Sequence, residues 1–138
     1  MTMAIPLSKL VGMTSEIEGK LNEKGIHDSD QFVDACRIPH DRSELAKHCG
    51  LTRQKLLALA DRADLARIHG VGGVLSDLLE QIEGVKTVSD LAKQRPEKLH
   101  HELEDLIDQK KIRLVGNPTS LEMVKDWIKQ AKALEKLL

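Results

Sequence analysis

The chain has 138 residues with a formal net charge of −1, and 41% of its residues are hydrophobic and 31% charged. This content is too apolar for a disordered chain, and the length suits one domain or two small fused repeats. The near-neutral charge argues against a dedicated nucleic-acid binder, which usually carries a basic footprint. Trp127 and Phe32 are the only aromatic residues. The core must therefore be aliphatic, which favours packed helices over a β-sandwich.

Helix start and stop signals follow one another along the first half. Ser15 is predicted to cap the first helix and Gly25 to stop it, and Thr52 is predicted to cap a longer one. Pro39 is predicted to interrupt the chain between two short helices. The helices predicted here span residues 15–24, 28–36, 41–50 and 52–62, the second opening at Asp28 or Ser29 and the third at Asp41 or Ser43.

The second half shows the same kinds of signal. Thr87 is predicted to cap a helix, Pro96 suits the first turn of another, and Ser120 is predicted to cap the last one. The predicted helices span residues 65–68, 73–82, 88–94 and 96–110, followed by a loop at 113–118 and the helix after Ser120. No alternating strand pattern is convincing anywhere, so the sequence predicts an all-α protein.

A glycine-rich signature occurs twice. In residues 65–79 the triplet Gly70-Val71-Gly72 separates two apolar-periodic segments, which is typical of two short helices joined by a tight turn. A degenerate copy spans residues 7–21, with Gly12 lying 58 residues before Gly70. Thr14 stands in this copy where Gly72 stands in the other, and threonine resists a positive φ.

The duplication extends beyond these turns. Residues 25–28 and 84–87 each combine a glycine stop, an apolar residue and a new cap, and the helix after Thr52 corresponds to the one after Ser120. We therefore expect two repeats that share a core, at 1–63 and 64–138, the first degenerate and the second ending in a long helix.

These residues resemble those of helix-hairpin-helix proteins, and more closely those of a bacterial domain-of-unknown-function family built from two such units. The matching stretches are residues 62–72, 85–92, 95–100 and 121–128. The resemblance implies an all-α fold in which two helix-hairpin-helix repeats pack as one compact pseudo-two-fold domain. It also implies contact with a DNA phosphate without sequence preference, through the backbone of Gly70, Gly72 and Gly73.

A phosphate site at the hairpins has physical support. The Gly-apolar-Gly turn lets a ligand approach the backbone, and the amides at a helix start bind anions. Lys9 and Arg67 each lie three residues before the first hairpin glycine, at equivalent places. Against this, Glu16 and Asp77 lie near the two helix starts, where carboxylates compete with phosphate. The predicted contacts are Lys9, Gly12, Arg67, Gly70, Val71, Gly72 and Gly73.

Other polar clusters favour no catalytic or metal site. Cys36, His40, His48 and Cys49 lie close in sequence but follow no known zinc spacing, so a buried thiol pair and surface imidazoles are favoured. His100 and His101 have no identifiable catalytic partner, and the carboxylates at 102–108 indicate a solvated helix face. We expect a non-enzymatic protein without metal or cofactor.

The sequence also carries an expectation about location. Residues 1–6 lack the basic segment and apolar run of a secretory signal, and no apolar stretch approaches the roughly 18 residues that span a bilayer. Two cysteines do not make a disulfide framework. The sequence therefore predicts a cytoplasmic protein without membrane contact.

The leading hypothesis is a non-enzymatic binding module that docks weakly on a nucleic-acid backbone, in particular that of duplex DNA, or on another phosphate, through the second hairpin. The alternative is a protein-interaction scaffold or self-associating domain whose hairpin is architectural. An exposed apolar patch around Trp127, Leu137 and Leu138 would support that alternative.

Overall fold

The computed structural model describes residues 3–110 and 119–138, and within these residues the chain is all-α, as predicted. A 3₁₀ turn at Leu7–Lys9 precedes eight helices. These are α1 (Ser15–Glu23), α2 (Ser29–Ala35), α3 (Pro39–Cys49), α4 (Arg53–Leu65), α5 (Gly72–Glu80), α6 (Val88–Leu91), α7 (Pro96–Lys110) and α8 (Leu121–Ala133). The described residues form one isolated β-bridge, between Pro6 and Asp28.

Side-chain caps begin most of these helices. Asp28, Thr52, Thr87 and Ser120 each accept a hydrogen bond from the amide three residues further on, as expected of N-caps. The prediction was wrong for α1, whose cap is Thr14, and for α3, which begins at Pro39. Proline has no amide hydrogen to satisfy and a fixed φ, so it starts this helix instead of interrupting the chain. The loop predicted at 113–118 lies outside the described residues.

The buried apolar side chains form two cores, so the expectation of a single core shared by the two repeats was wrong. One is built from residues within 7–63, from the 3₁₀ turn to α4, and the other from residues within 65–131. The chain divides between Ala63 and Leu65, inside the last turn of α4. Because α4 packs on both α2 and α5, it joins the two cores.

The two ends of the chain cross from one core to the other. The amide of Met3 donates to the carbonyl of Arg67 (3.0 Å). At the opposite end, Leu137 and Leu138 are partly buried against the first core, and Trp127 is only 1% exposed within the second. The exposed apolar patch that would support the protein-interaction alternative is therefore not found at these residues, because the cores cover Trp127 and partly cover Leu137 and Leu138.

None of the described helices is both long enough and apolar enough to cross a membrane.

Candidate phosphate-binding hairpin

The buried side chain of Val71 anchors the turn before α5 in the protein interior. This side chain is 4% exposed, and the Val71 amide donates to the carbonyl of Ile68 (3.2 Å). Gly70 and Gly72, on either side, have φ values of +93° and +64°, which an L side chain rarely adopts. Of the predicted contacts, Val71 is therefore an anchor with an occupied amide, and the two glycines form the accessible backbone.

Helix α8 supports this turn from the second core. A β-carbon at Gly70 would lie 3.2 Å from Nε1 of Trp127, so the indole packs directly against the glycine. Beside it, the Gln130 side-chain amide accepts from the His69 amide (2.8 Å) and donates to the His69 carbonyl (3.2 Å). The turn is fixed through its backbone, which leaves the imidazole of His69 exposed.

The start of α5 has no side-chain cap and no acidic residue in its first turn. Within the described chain, the amides of Gly72, Gly73 and Val74 donate no hydrogen bond. The hydroxyl of Ser76 donates to the Gly73 carbonyl (2.8 Å) and so does not cap these amides. A helix start of this kind favours an anion, because unpaired amides and the positive end of the helix dipole coincide there.

The predicted competition from Asp77 is not found. Asp77 lies beyond the first turn of α5, and its carboxylate is 3.4 Å from Nε of Arg62. It also accepts from the side-chain amide of Gln81 (3.1 Å). Because its charge is directed to Arg62, the carboxylate does not occupy the free amides.

The first hairpin has a different helix start. Thr14 has a φ of −113°, and its hydroxyl accepts from the amide of Ile17 (3.2 Å). Glu16 and Glu18 lie in the first turn of α1. The Thr14 hydroxyl therefore already pairs with an amide at the start of α1, and the two glutamates already offset the helix dipole. Gly12 (φ +92°) packs beside Arg62, whose guanidinium donates to the Val11 carbonyl (2.9 Å).

The two hairpins meet at Lys9 and Gly73. A β-carbon at Gly73 would collide with the backbone carbonyl of Lys9, and it would lie 3.6 Å from the Lys9 β-carbon. The Lys9 side chain is exposed and forms no salt bridge within the described residues. The fold therefore packs Lys9 of the first hairpin, whose side chain is exposed, against Gly73 at the start of α5.

Arg67 does not serve this site. It is 3% exposed, and its guanidinium forms an ion pair with Asp64 (2.8 Å) and donates to the Glu135 carbonyl (3.0 Å). The prediction of Arg67 as a phosphate contact is corrected here, because the buried pairing directs its charge into the protein. The other oxygen of Asp64 accepts from the amide of Val88 (2.8 Å), at the start of α6.

Two buried carboxyls, Asp61 and Asp64, lie near the end of α4, where the chain passes from one core to the other. Burial, with the nearby charge of Glu80, raises the pKa of Asp61 from its ordinary 3.8 to about 7. Burial also raises the pKa of Asp64, against the opposing effects of the Val88 amide and Arg67.

The cysteines and histidines do not come together. Cys36 is buried, while Nε2 of His48 donates to the Lys20 carbonyl (3.1 Å) and lies 3.1 Å from the Glu23 carboxylate. His100 lies at the Thr119 carbonyl (3.1 Å) and at Glu104 (3.0 Å). In the part of the chain that the structure describes, no three His, Cys, Asp or Glu side chains are grouped to hold a metal.

Sequence reasoning missed two features. Asp64 and Arg67 have the i, i+3 spacing of a helical ion pair, a signal that was present but outweighed by the repeat position of Arg67. Arg53 and Lys55 follow the Thr52 cap with no acidic residue in that turn, and both are exposed. This was a local basic signal that the overall charge concealed.

The fold and this turn define an all-α protein in which a glycine-rich hairpin packs against α8. The model of a domain of unknown function, DUF4332, matches residues 11–134, so the chain belongs to the DUF4332 family. The predicted resemblance to a domain-of-unknown-function family is thereby confirmed. No curated protein and no solved structure is significantly similar to the chain.

Proposed function

We propose that this protein is a non-enzymatic binding module, built from two helix-hairpin-helix units, that docks on the sugar-phosphate backbone of duplex DNA. The second hairpin supplies the contact. The observation that carries the proposal is the start of α5, where three unpaired amides lie in a turn that packs against Lys9, a residue whose side chain is exposed.

Corresponding contacts support the two-unit interpretation. In the first unit Gly12 packs against Leu59, and in the second unit Gly70 packs against Trp127. Gly70 lies 58 residues after Gly12, and Trp127 lies 68 residues after Leu59. Arg62 donates to the carbonyl of Val11, and Gln130 binds the backbone of His69. Gln130 lies 68 residues after Arg62, and His69 lies 58 residues after Val11. Each hairpin is thus held by a late helix at matching positions, α4 in one case and α8 in the other.

The two units differ in what they leave available. Thr14 caps the first helix start, whereas no side chain caps the second, so a phosphate gains more at α5 than at α1. The contact is independent of base sequence, because backbone amides and a lysine recognise only the phosphate. Two to four such contacts give a salt slope of about −2 to −4, so binding weakens rapidly towards physiological salt.

The test is fluorescence anisotropy with a labelled random-sequence duplex, from low to physiological salt. The informative variant is Gly72→Asp, combined with Lys9→Glu. Aspartate tolerates a positive φ better than most residues, and its carboxylate competes for the free amides. The space around Gly72 is open, so the variant is expected to fold.

Gly84→Asp with Lys93→Glu is the matched control. Gly84 also has a positive φ (+84°) and open surroundings, Lys93 is also exposed, and the change in charge is the same. Loss of binding in the hairpin variant with retention in the control supports the proposal. Equal binding by both variants contradicts the hairpin site. Absence of binding by the parent, even at low salt, assigns the hairpin to architecture and favours a protein partner.

A further inference from the structure

Three surface pockets lie beside one another around α4. The largest, of about 550 Å³, lies between the starts of α3 and α4, and a pocket of about 330 Å³ shares Ser43 and Arg53 with it. That second pocket shares Leu51 with a third of about 320 Å³, which reaches Gly12 of the first hairpin. Neighbouring pockets share lining residues, so the three lie side by side, and together they are here named the α4 groove.

The α4 groove is basic on a protein that is nearly neutral overall. The residues lining it in the described chain include five cations and no carboxylate. These cations are Arg42, Lys47, Arg53, Lys55 and Arg62. A pocket of about 210 Å³ on the α5–α7 side has the opposite character, with Glu83, Glu102 and Asp105 among its lining residues and no Lys or Arg. The linings of these pockets therefore differ in the sign of their charge.

Two of the groove cations are free to bind a ligand. Arg53 and Lys55 are exposed, and neither forms a salt bridge within the described residues. The other three are engaged: Arg42 donates to the Cys36 carbonyl (3.1 Å), Lys47 lies 3.5 Å from Glu44, and Arg62 lies 3.4 Å from Asp77. Arg53 and Lys55 also lie in the first turn of α4, where no acidic side chain offsets the helix dipole.

The placement of the two free cations indicates a polymer. Arg53 and Lys55 are two residues apart in α4, so they lie about 200° apart around the helix, on opposite sides of it. No single pocket is lined by both of them, so a single small anion in one pocket would engage only one of the two cations.

The groove also leads to the hairpin site. Gly12 lines its third pocket, and the first hairpin continues from Gly12 back to Lys9, which abuts Gly73 at the start of α5. We propose that the α4 groove is a second binding site for the nucleic-acid backbone, with Arg53 and Lys55 as its main phosphate contacts. The choice of a nucleic acid as the polyanion rests on the proposed function of the hairpin.

The test is the salt dependence of duplex binding by Arg53→Glu/Lys55→Glu. Both side chains are exposed and unpaired, and glutamate in a first helical turn complements the dipole, so the variant is expected to fold like the parent. Its control is Lys93→Glu/Lys98→Glu, which makes the same change in charge at two exposed lysines that do not line the groove.

We expect the groove variant to lose about 2 from the magnitude of the salt slope. Each phosphate contact releases about 0.9 counterion when it forms, so the loss of two contacts makes binding about 60-fold weaker at 0.1 M salt. The control should lose markedly less. Equal slopes for the groove variant and the control overturn the inference.

The two proposals fail separately. If the groove variant binds like its control while the hairpin variant Gly72→Asp/Lys9→Glu loses binding, the hairpin function holds and the groove inference is wrong. The reverse result supports the groove and contradicts the hairpin. Displacement of the duplex by inorganic phosphate at matched ionic strength assigns the groove to a single small anion and also overturns the inference.

Discussion

The carboxylate of Asp64 and the guanidinium of Arg67 form an ion pair of 2.8 Å, with side chains only 1% and 4% exposed. The second oxygen of Asp64 holds the amide of Val88, so this single carboxylate joins the end of α4, the following turn and the start of α6. Removing one member of such a buried pair is costly, because its partners remain buried without the charge that compensated them.

Asp64→Ala is therefore expected to lower the free energy of unfolding by about 3–5 kcal/mol, since it leaves Arg67 buried without its counter-charge. Urea denaturation followed by circular dichroism measures the loss. Asp34→Ala is the matched control, because Asp34 and Arg37 have the same i, i+3 spacing (3.5 Å) on the surface. It should cost less than about 1 kcal/mol. Similar costs for the two variants would show that burial does not govern this pair.

Gly73→Ala is expected to destabilise the protein by about 1–3 kcal/mol, because its β-carbon would collide with the Lys9 carbonyl and force the hairpins apart. Gly19→Ala provides the contrast. Gly19 lies inside α1 with nothing near its missing β-carbon, so alanine should stabilise the helix by roughly 0.5–1 kcal/mol. Thermal melts of the two variants should shift in opposite directions, and a shift in the same direction would contradict the packing of the two hairpins.

The stability of the protein should fall as pH rises from about 4 to about 7. Burial raises the pKa of Asp61 to about 7, so in this window the folded chain holds a proton that the unfolded chain releases. Ionisation then favours unfolding, and the effect is complete above the folded pKa. The contribution reaches about 4 kcal/mol at most, for a pKa raised from 3.8 to about 7.

Asp61→Asn removes this proton linkage. Relative to the parent, the variant should gain stability as pH increases through this window, in urea denaturation series at pH 4 to 8. A difference between variant and parent that does not change with pH would contradict the raised pKa of Asp61. The remaining slope of the variant reports on Asp64, whose pKa burial also raises.

The two cysteines should differ in reactivity towards a thiol reagent. Burial raises the pKa of Cys36 to about 12, and its side chain is fully covered, so almost no accessible thiolate exists. Cys49 is partly exposed, and burial raises the pKa of its thiol as well. The native protein should therefore show one slow reactive thiol, removed by Cys49→Ser. A fast reaction at Cys36 would contradict its burial.

The helices could be predicted because their signals are local. Thr52, Thr87 and Ser120 are caps whose effect depends on the next three residues, and each begins a helix as expected. Pro39 was misjudged because proline marks either an interruption or a first turn, and the difference depends on the chain around it.

The candidate site was less predictable because it depends on contacts across the chain. Arg67 and Lys9 occupy equivalent positions in the two repeats. Arg67 is buried and contacts Asp64 and the Glu135 carbonyl, whereas Lys9 is exposed and packs against Gly73. Tertiary pairing decided between them. The α4 groove was missed for a similar reason, since a net charge of −1 conceals how cations and anions are sorted on the folded surface.

The chain has one tryptophan, and its indole lies against Gly70 of the second hairpin. The protein thus carries its own fluorescent reporter at one of its two proposed contacts. Occupation of the hairpin should alter the emission of Trp127, whereas the α4 groove lies against the other core and contains no fluorophore of this kind. Comparing intrinsic emission with the anisotropy of a labelled duplex would then reveal the order in which a nucleic acid engages the two surfaces.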